Sequence, residues 1–347
     1  MTTELPGIDP LRVTGWLNDH VGASTAYGFN LVAAGGSNLT YEVVDGEGRR
    51  FALRRPPVGR ALNTAHDVLR EWDVLSALHE HPTAVPVPEP LALCEDGDVT
   101  GSPFYVMAFA GGTILRTVDD AEALDPEVLR AAGRSLVDTQ VALHAVDVDA
   151  VGLGDLGPPT GYVERQLERW RRQYEDGRVR RVHLIEELHQ RLSRTVPAAS
   201  ATPGLLHGDY RFDNVVIDDA GTVVAVLDWE LCTLGDPVAD ACWSLQYWAD
   251  PDDEDSFLTS SPTLAAALPR RSEVIGRYAA LSGRPLDDWP WFEVFGWWKM
   301  GCIVEGVHAR RSKGQGAGAP SGTLEAIAAR ADRFLHLADQ KAGALGI

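Results

Sequence analysis

The chain contains no run of 18 apolar residues, so no segment of it reads as a membrane span. Its four cysteines, Cys94, Cys232, Cys242 and Cys302, are scattered without C-x-x-C spacing. That excludes a zinc site built on paired cysteines. Apolar neighbours beside each thiol point instead to reduced, buried side chains. The opening stretch MTTELPGIDP has neither a basic start nor an apolar core, so a secretory signal is not expected and a cytoplasmic location is. Basic charge is also short: 31 lysines and arginines face 50 aspartates and glutamates, for a formal charge of −19. This balance argues against nucleic acid and against an anionic membrane as partners, because both are bound through basic surfaces. It leaves room for a local basic pocket that takes a phosphorylated ligand. What is present is ordinary for a globular protein, with 45% apolar and 23% charged residues.

Two textures divide the chain. Residues 1–110 are strand-rich. FNLVAAG (Phe29 to Gly35), LTYEVVD (Leu39 to Asp45) and RFALRR (Arg50 to Arg55) are short apolar or alternating runs broken by Gly and Asn, which predicts hairpins. NTAHDVLREWDVLSAL is different, because Val68, Leu69, Trp72, Leu75 and Leu78 recur at helical steps behind a possible cap at Asn63 or Thr64. HPTAVPVPEP enforces an extended segment, and strands follow near Leu91 to Glu95 and Pro103 to Phe109. After a hinge at Ala110 to Gly112, residues 111–347 carry helical patterns over Pro126 to Val146, Thr160 to Tyr174, Val179 to Val196, Asp236 to Trp248, Thr263 to Leu281, Trp289 to Arg311 and Leu324 to Ala342. Only NVVID and VVAVLDW interrupt them, as two strands joined by the turn DDAG.

The chemistry-bearing stretch is LLHGDYRFDNVVID, Leu205 to Asp218. Asp209 is followed by four residues and then Asn214; Asp228 comes 14 residues later, at the end of an apolar strand. Two carboxylates and a carboxamide oxygen are hard ligands of the kind Mg²⁺ uses together with substrate phosphates and water. H-x-D-x-x-x-x-N followed by a strand-ending Asp is the arrangement of phosphoryl transfer in kinase-type folds. On that reading Asp209 orients a hydroxyl nucleophile and accepts its proton, while Asn214 and Asp228 are metal ligands. His207, Arg211 and Asp213 are expected to hold the loop. Asp236 and Asp240, in GDPVAD, are expected to act as a helix cap and a buried brace for the loop. ATP would then sit in the first part. The glycine turn GGSN (Gly35 to Asn38) can bring backbone N–H groups to phosphates. Arg54 stands where kinases place the lysine that grips the α- and β-phosphates, with Glu71 on the following helix as its partner. FYVMAFAGG, which contains Met107 and Phe109, is the expected linker along the adenine edge.

With HGDYRFDN and LDWELCTLGDPVADACW in place, the sequence resembles the aminoglycoside phosphotransferase and choline kinase superfamily. GGSNLTYEV, FALRRPP, AHDVLREWDVLSAL, VPVPEPLALCED and GSPFYVMAF resemble more closely the kinase-like domain associated with acyl-CoA dehydrogenases. The likeness runs from about residue 25 to the end. It implies an α+β, bilobal protein-kinase-like fold, with a β-rich N-lobe holding one helix and a mainly helical C-lobe holding a catalytic β-hairpin. It implies Asp209 as catalytic base, Asn214 and Asp228 as Mg²⁺ ligands, Arg54 with Glu71 as the phosphate-gripping pair, and Ser37 with Asn38 as phosphate-loop contacts. The wider superfamily carries Lys at the Arg54 position; the closer branch tends to carry Arg. Arg keeps the charge and can fork to two oxygens, but it is bulkier and planar.

DWELCTLGDP runs almost directly into a helix, leaving no room for a peptide-docking segment, so a small-molecule acceptor is favoured. The branch implies the hydroxyl of a hydroxyacyl-CoA, with a separate acyl-CoA dehydrogenase-like enzyme as partner. The arginines of ERQLERWRRQYEDGRVRR (Glu164 to Arg181) either bind CoA phosphates or form a salt-bridged, solvated face. WPWFEVFGWWKM (Trp289 to Met300) either lines an acceptor pocket or packs the core. One alternative function is an aminoglycoside-type antibiotic kinase, whose cationic acceptor would meet the acids of Asp250 to Ser256 and Glu305. Another is a catalytically inactive nucleotide-binding protein of the same fold, which the presence of Asp209, Asn214 and Asp228 disfavours. A metallophosphatase would need further His ligands that the chain does not place suitably.

Overall fold

The computed structural model describes residues 5–34, 38–58, 63–198, 202–250, 253, 260–314 and 322–347. The chain divides into two compact units, Met1–Gly112 with Val224–Cys232, and Thr113–Val223 with Thr233–Ile347. The segment 224–232, which follows the second part in chain order, therefore groups with the first unit.

The first unit opens with a helix that the strand-rich reading of this region passes over, α1 (Pro10–His20). Asp9 caps it by accepting from the Leu11 and Arg12 N–H groups, and Pro10 occupies the first turn, where its missing N–H costs nothing. Val13 and Leu17, four residues apart, bury one face of α1 against the sheet core of Tyr41, Val43, Leu53, Phe104 and Val106. Full burial stabilises each such aliphatic side chain by roughly 1.5–3 kcal/mol. The antiparallel sheet consists of β1 (Tyr27–Ala34), β2 (Leu39–Asp45), β3 (Arg50–Arg55), β4 (Pro90–Cys94) and β5 (Phe104–Ala108), in the order β1-β2-β3-β5-β4. Helix α2 (Asn63–Glu80) follows β3, and a single turn, α3 (Gly97–Thr100), precedes β5. Side chains alternate across a strand, so Arg54 points away from the face that buries Leu53 and meets Glu71 of α2.

The second unit contains α4 (Val118–Glu122), α5 (Pro126–His144), α6 (Tyr162–Gly177), α7 (His183–Arg194), β6 (Gly204–Leu206) and β7 (Val215–Ile217). The chain leaves this unit along β8 (Val223–Val226), after a turn in which the Asp218 N–H donates to the Thr222 carbonyl at 2.9 Å. It returns at β9 (Thr233–Gly235) and ends with α8 (Pro237–Leu245), α9 (Arg271–Ser282), α10 (Trp289–Ser312) and α11 (Leu324–Leu345). The helix expected from Thr263 begins only at Arg271, with a short 3-10 turn at Pro262–Leu264 before it. Pro269 explains the delay, since it donates no N–H and pushes Leu268 out of helical geometry. The pair β6 and β9, antiparallel and three residues each, is too short for any periodicity to reveal. Helix α10 is apolar nearly all round, the mark of a central helix. Its Trp289, Trp291, Phe292, Phe295, Trp298 and Met300 are all buried, so the aromatic run packs the core. The Trp298 indole N–H donates to the Ile185 carbonyl at 3.0 Å. All four cysteines are buried. Among the described residues no helix is long and apolar enough to cross a membrane.

Candidate active site

In the second unit the strand β6 delivers the chain into the loop His207–Asn214. Gly208 takes a left-handed conformation (φ 83°), which a side chain would resist. The Asp209 carboxylate is oriented from two sides: the Asn214 amide donates to its Oδ2 at 3.0 Å, and Arg211 Nε lies 3.2 Å from its Oδ1. The same Asn214 amide donates to the Asp209 backbone carbonyl at 2.8 Å. Both side-chain contacts of Asn214 thus use its nitrogen, and its carbonyl oxygen accepts no hydrogen bond from the described residues. Arg211 also lies 3.1 Å from Asp213 and stacks 4.8 Å over the Tyr247 ring. Arg211 and Asp213 are therefore braces of the loop. Burial pushes the Asp213 carboxyl upward, against the pull of Arg211. Arg211, Asp213, Tyr210, Tyr247, Trp248 and Arg116 line a cavity of about 270 Å³ beside the loop.

The base of the loop is held by Asp240, which is 1% exposed on α8. Its carboxylate accepts from the backbone N–H groups of His207 and Gly208, at 3.3 and 3.0 Å, and lies 3.2 Å from His144 Nε2. Burial alone would raise its pKa; the His144 hydrogen bond and the neighbouring imidazole charges reverse this, so it lies below the ordinary carboxylate range. His144 continues the network to the Tyr278 hydroxyl at 2.9 Å, and the Tyr210 hydroxyl donates to the Leu136 carbonyl at 2.8 Å. Asp236 caps α8 by accepting from the Val238 and Ala239 N–H groups. His207 Nδ1 accepts from the Asp209 N–H at 3.3 Å, a structural contact within the loop. Asp240→Asn is expected to cost about 3 kcal/mol of stability, the low end for breaking a buried charged network, measured by urea denaturation. A loss below ~0.5 kcal/mol, the level of a neutral surface change, would remove Asp240 as the brace.

In the first unit Arg54 and Glu71 form a buried ion pair, Nε to Oε2, at 2.8 Å. Glu71 Oε1 accepts from the Trp229 backbone N–H at 3.0 Å. The second arm of the Arg54 fork, Nη2, donates to Asp228. Burial works against the Arg54 cation, but Glu71, Tyr105, Asp228 and Glu230 more than offset it and hold its pKa above the usual range. Burial likewise pushes Glu71 up to about 7, opposed by Arg54. Asp228 is the only described non-glycine residue with positive φ (67°), a conformation disfavoured for a side chain and often kept at functional positions. Its side chain is 31% exposed, so one carboxylate oxygen is held by Arg54 while the group stays open to solvent. Asn38 is buried and donates to Glu230 at 3.2 Å. Gly35, Gly36 and Ser37 lie outside the described residues. Met107 sits within β5, paired with Ala52 and Pro90. The Phe109 ring carries the Arg50 guanidinium 3.9 Å from its centre. The link from Trp229 to Glu71 was not legible in the sequence, because it joins positions 158 apart through a backbone group.

The arginine-rich stretch resolves toward the salt-bridged face. Arg171 and Arg172 pair with Glu168, Arg178 and Arg181 with Glu186, and Arg180 with Glu305 and Asp332. Glu305, 2% exposed and held by Arg180, is committed within the protein. Of the acids in Asp250 to Ser256, residues 251–252 and 254–256 lie outside the described residues; Asp253 pairs with Arg271 at 2.5 Å.

A β-rich unit with a buried Arg–Glu pair, and a helical unit with the Asp209–Asn214 loop, make up a kinase-like fold. The sequence profile of the phosphotransferase enzyme family matches residues 28–286, and the chain belongs to that family. Acyl-CoA dehydrogenase family member 10 of Mus musculus is 32% identical over 292 residues, 82% of this chain but 27% of that protein. The chain spans 27–36% of the length of the first curated relatives it matches. A solved Ralstonia eutropha structure, labelled an aminoglycoside phosphotransferase, superposes with a TM-score of 0.79 at 28% identity, covering 96% of this chain and 98% of that one. The aminoglycoside phosphotransferase APH(4)-Ia, solved with AMP-PNP and hygromycin B, superposes with a TM-score of 0.63 at 16% identity, over 95% and 98% of the two chains, and shares the fold.

Proposed function

We propose that the chain transfers the γ-phosphoryl group of ATP, with Mg²⁺, to a hydroxyl of a small molecule, a hydroxyacyl-CoA being the favoured acceptor. The observation that carries this reading is the Asp209 carboxylate held by Asn214 and Arg211 within a braced loop. A carboxylate fixed in this way can align an acceptor hydroxyl and take its proton as the oxygen attacks phosphorus. The residue types fit magnesium: the Asn214 carbonyl oxygen accepts no hydrogen bond from the described residues, and Asp228 keeps a solvent-facing carboxylate. The ion, when bound, would neutralise charge on the transferring phosphoryl group. Arg54, oriented by Glu71, would hold the α- and β-phosphates. Support for a hydroxyacyl-CoA comes from the relatives named as acyl-CoA dehydrogenase family members, which contain a region like this chain. An acyl-CoA dehydrogenase-like activity would then act on the phosphorylated product. A cationic antibiotic fits less well, because Glu305 is already neutralised by Arg180. ADP release measured across hydroxyacyl-CoAs, aminoglycosides and small alcohols tests the reading. Turnover confined to aminoglycosides would replace the acceptor, and no Mg²⁺-dependent turnover with any hydroxyl compound would sink the reading.

A further inference from the structure

The chain carries 28 arginines and three lysines, and no lysine precedes residue 299. Lys313 and Lys341 donate to the Gly177 carbonyl and to Glu293. Lys299, on α10, is only 6% exposed. Among the described residues its ammonium meets no carboxylate and no hydrogen-bond acceptor. It lies instead against two indoles, 3.5 Å from the ring centre of Trp243 on α8 and 5.6 Å from that of Trp170 on α6. A buried cation without a counter-ion is costly, and aromatic faces recover only part of that cost.

Its position relative to the loop is defined by a continuous row of contacts in the second unit. Trp243 meets Tyr247 edge-on, with centroids 5.5 Å apart; Tyr247 carries the Arg211 guanidinium; Arg211 contacts the Asp209 carboxylate. Arg211 and Tyr247 also line the 270 Å³ cavity. The charged groups facing Lys299 are Asp240 on α8, Asp209 on the loop and Arg169 on α6. Burial lowers its pKa to about 7, the two aspartates oppose that, and Arg169 adds to it. Arg169 itself forms no ion pair among the described residues and lies over the Trp170 ring at 5.5 Å.

We propose that Lys299 is a specificity-determining residue of the acceptor site. Flanked by Trp170 and Trp243, with Arg169 nearby, its ammonium takes the acyl or carboxyl oxygen of the molecule whose hydroxyl faces Asp209. The inference rests on the hydroxyl-phosphorylating reading above and adds that the acceptor presents an electron-rich oxygen, not an ammonium, to this end of the site. It also gives the lysine a counter-group that the described residues do not supply.

Lys299→Met keeps an unbranched side chain over Trp243 and removes the charge. Wild type and variant are to be compared on hydroxyacyl-CoA thioesters, the matching free hydroxy acids and diols of equal length. Loss of one charge-assisted hydrogen bond is expected to raise KM for thioester and acid by ~10–100-fold. The effect on kcat should be small, with nucleotide affinity and diol turnover unchanged. KM for the free acid should also rise with pH through about 7 in the wild type only, as the ammonium loses its proton. An unmoved KM, or an equal loss on all three acceptors, overturns the proposal. Should the Met variant not fold, Lys299→Gln serves the same comparison. A readout independent of turnover is acylation of the three lysines by a succinimidyl ester, followed by peptide mass spectrometry. The hydroxy acid should shield Lys299 and ATP should not, with Lys313 and Lys341 as internal controls. Shielding without turnover of any hydroxyl acceptor would leave the lysine site standing and remove the functional reading. Turnover with neither shielding nor a KM effect would remove the lysine site alone.

Discussion

Asp209→Ala is expected to lower the rate of phosphoryl transfer by ~10²–10⁴-fold, the usual contribution of a positioned base, and by more where alignment of the acceptor hydroxyl is also lost. Nucleotide affinity should stay near the wild-type value. The two expectations separate because the residues assigned to nucleotide, Arg54 and Glu71, belong to the other unit. The loop itself should persist. Asn214 retains its bond to the backbone carbonyl of residue 209, Arg211 retains Asp213 and the Tyr247 ring, and Asp240 still binds the His207 and Gly208 N–H groups. Asp209→Asn refines the test. It preserves shape and one acceptor oxygen but cannot take a proton, so it should be nearly as slow as the alanine variant. Single-turnover rates together with calorimetric ADP binding decide the matter. Near-wild-type turnover in either variant would strip Asp209 of its role.

Asp228→Asn is expected to weaken ADP binding in the presence of Mg²⁺ by at least ~10-fold while leaving metal-free binding little changed. Changes around a metal site commonly cost 10–100-fold in affinity, and loss of a direct ligand should do no less. Asn is chosen because residue 228 sits at positive φ, where Asn is tolerated better than Ala. The substitution also removes one of the two carboxylates on Arg54. Glu71 remains at 2.8 Å, so the arginine stays paired and the fold should hold. Calorimetric titration of ADP with and without Mg²⁺ is the measurement. If the metal dependence were unchanged, Asp228 would be a partner of Arg54 and not a metal ligand.

Much of the fold is legible in local pattern. The alternation in β2, the three- and four-residue steps in α2 and the apolar character of α10 follow from side-chain geometry within one element, which neighbouring residues encode. The D-x-x-x-x-N spacing is likewise local: the Asn214 amide reaches Asp209 across one short loop. Helix α1 was as readable as these, with Asp9–Pro10 as its cap and Val13 and Leu17 as its buried face, but the strand-rich texture around it hid the signal.

Local sequence thus specifies where most helices and strands run and which acids and amides stand at kinase-like spacings. Tertiary structure decided how those groups are used. It committed Glu305 to Arg180, 125 positions away, and so bound one arginine of the basic stretch to a buried acid. It placed Asp240 beneath two backbone N–H groups of the His207–Asn214 loop, 32 and 33 positions distant. It left Lys299 between two indoles, with no counter-ion among the described residues. The physical reason is common to all three. Hydrophobic periodicity specifies which face of an element is buried, whereas the charge of a buried group acquires its meaning only from the partner that folding brings within a few ångströms.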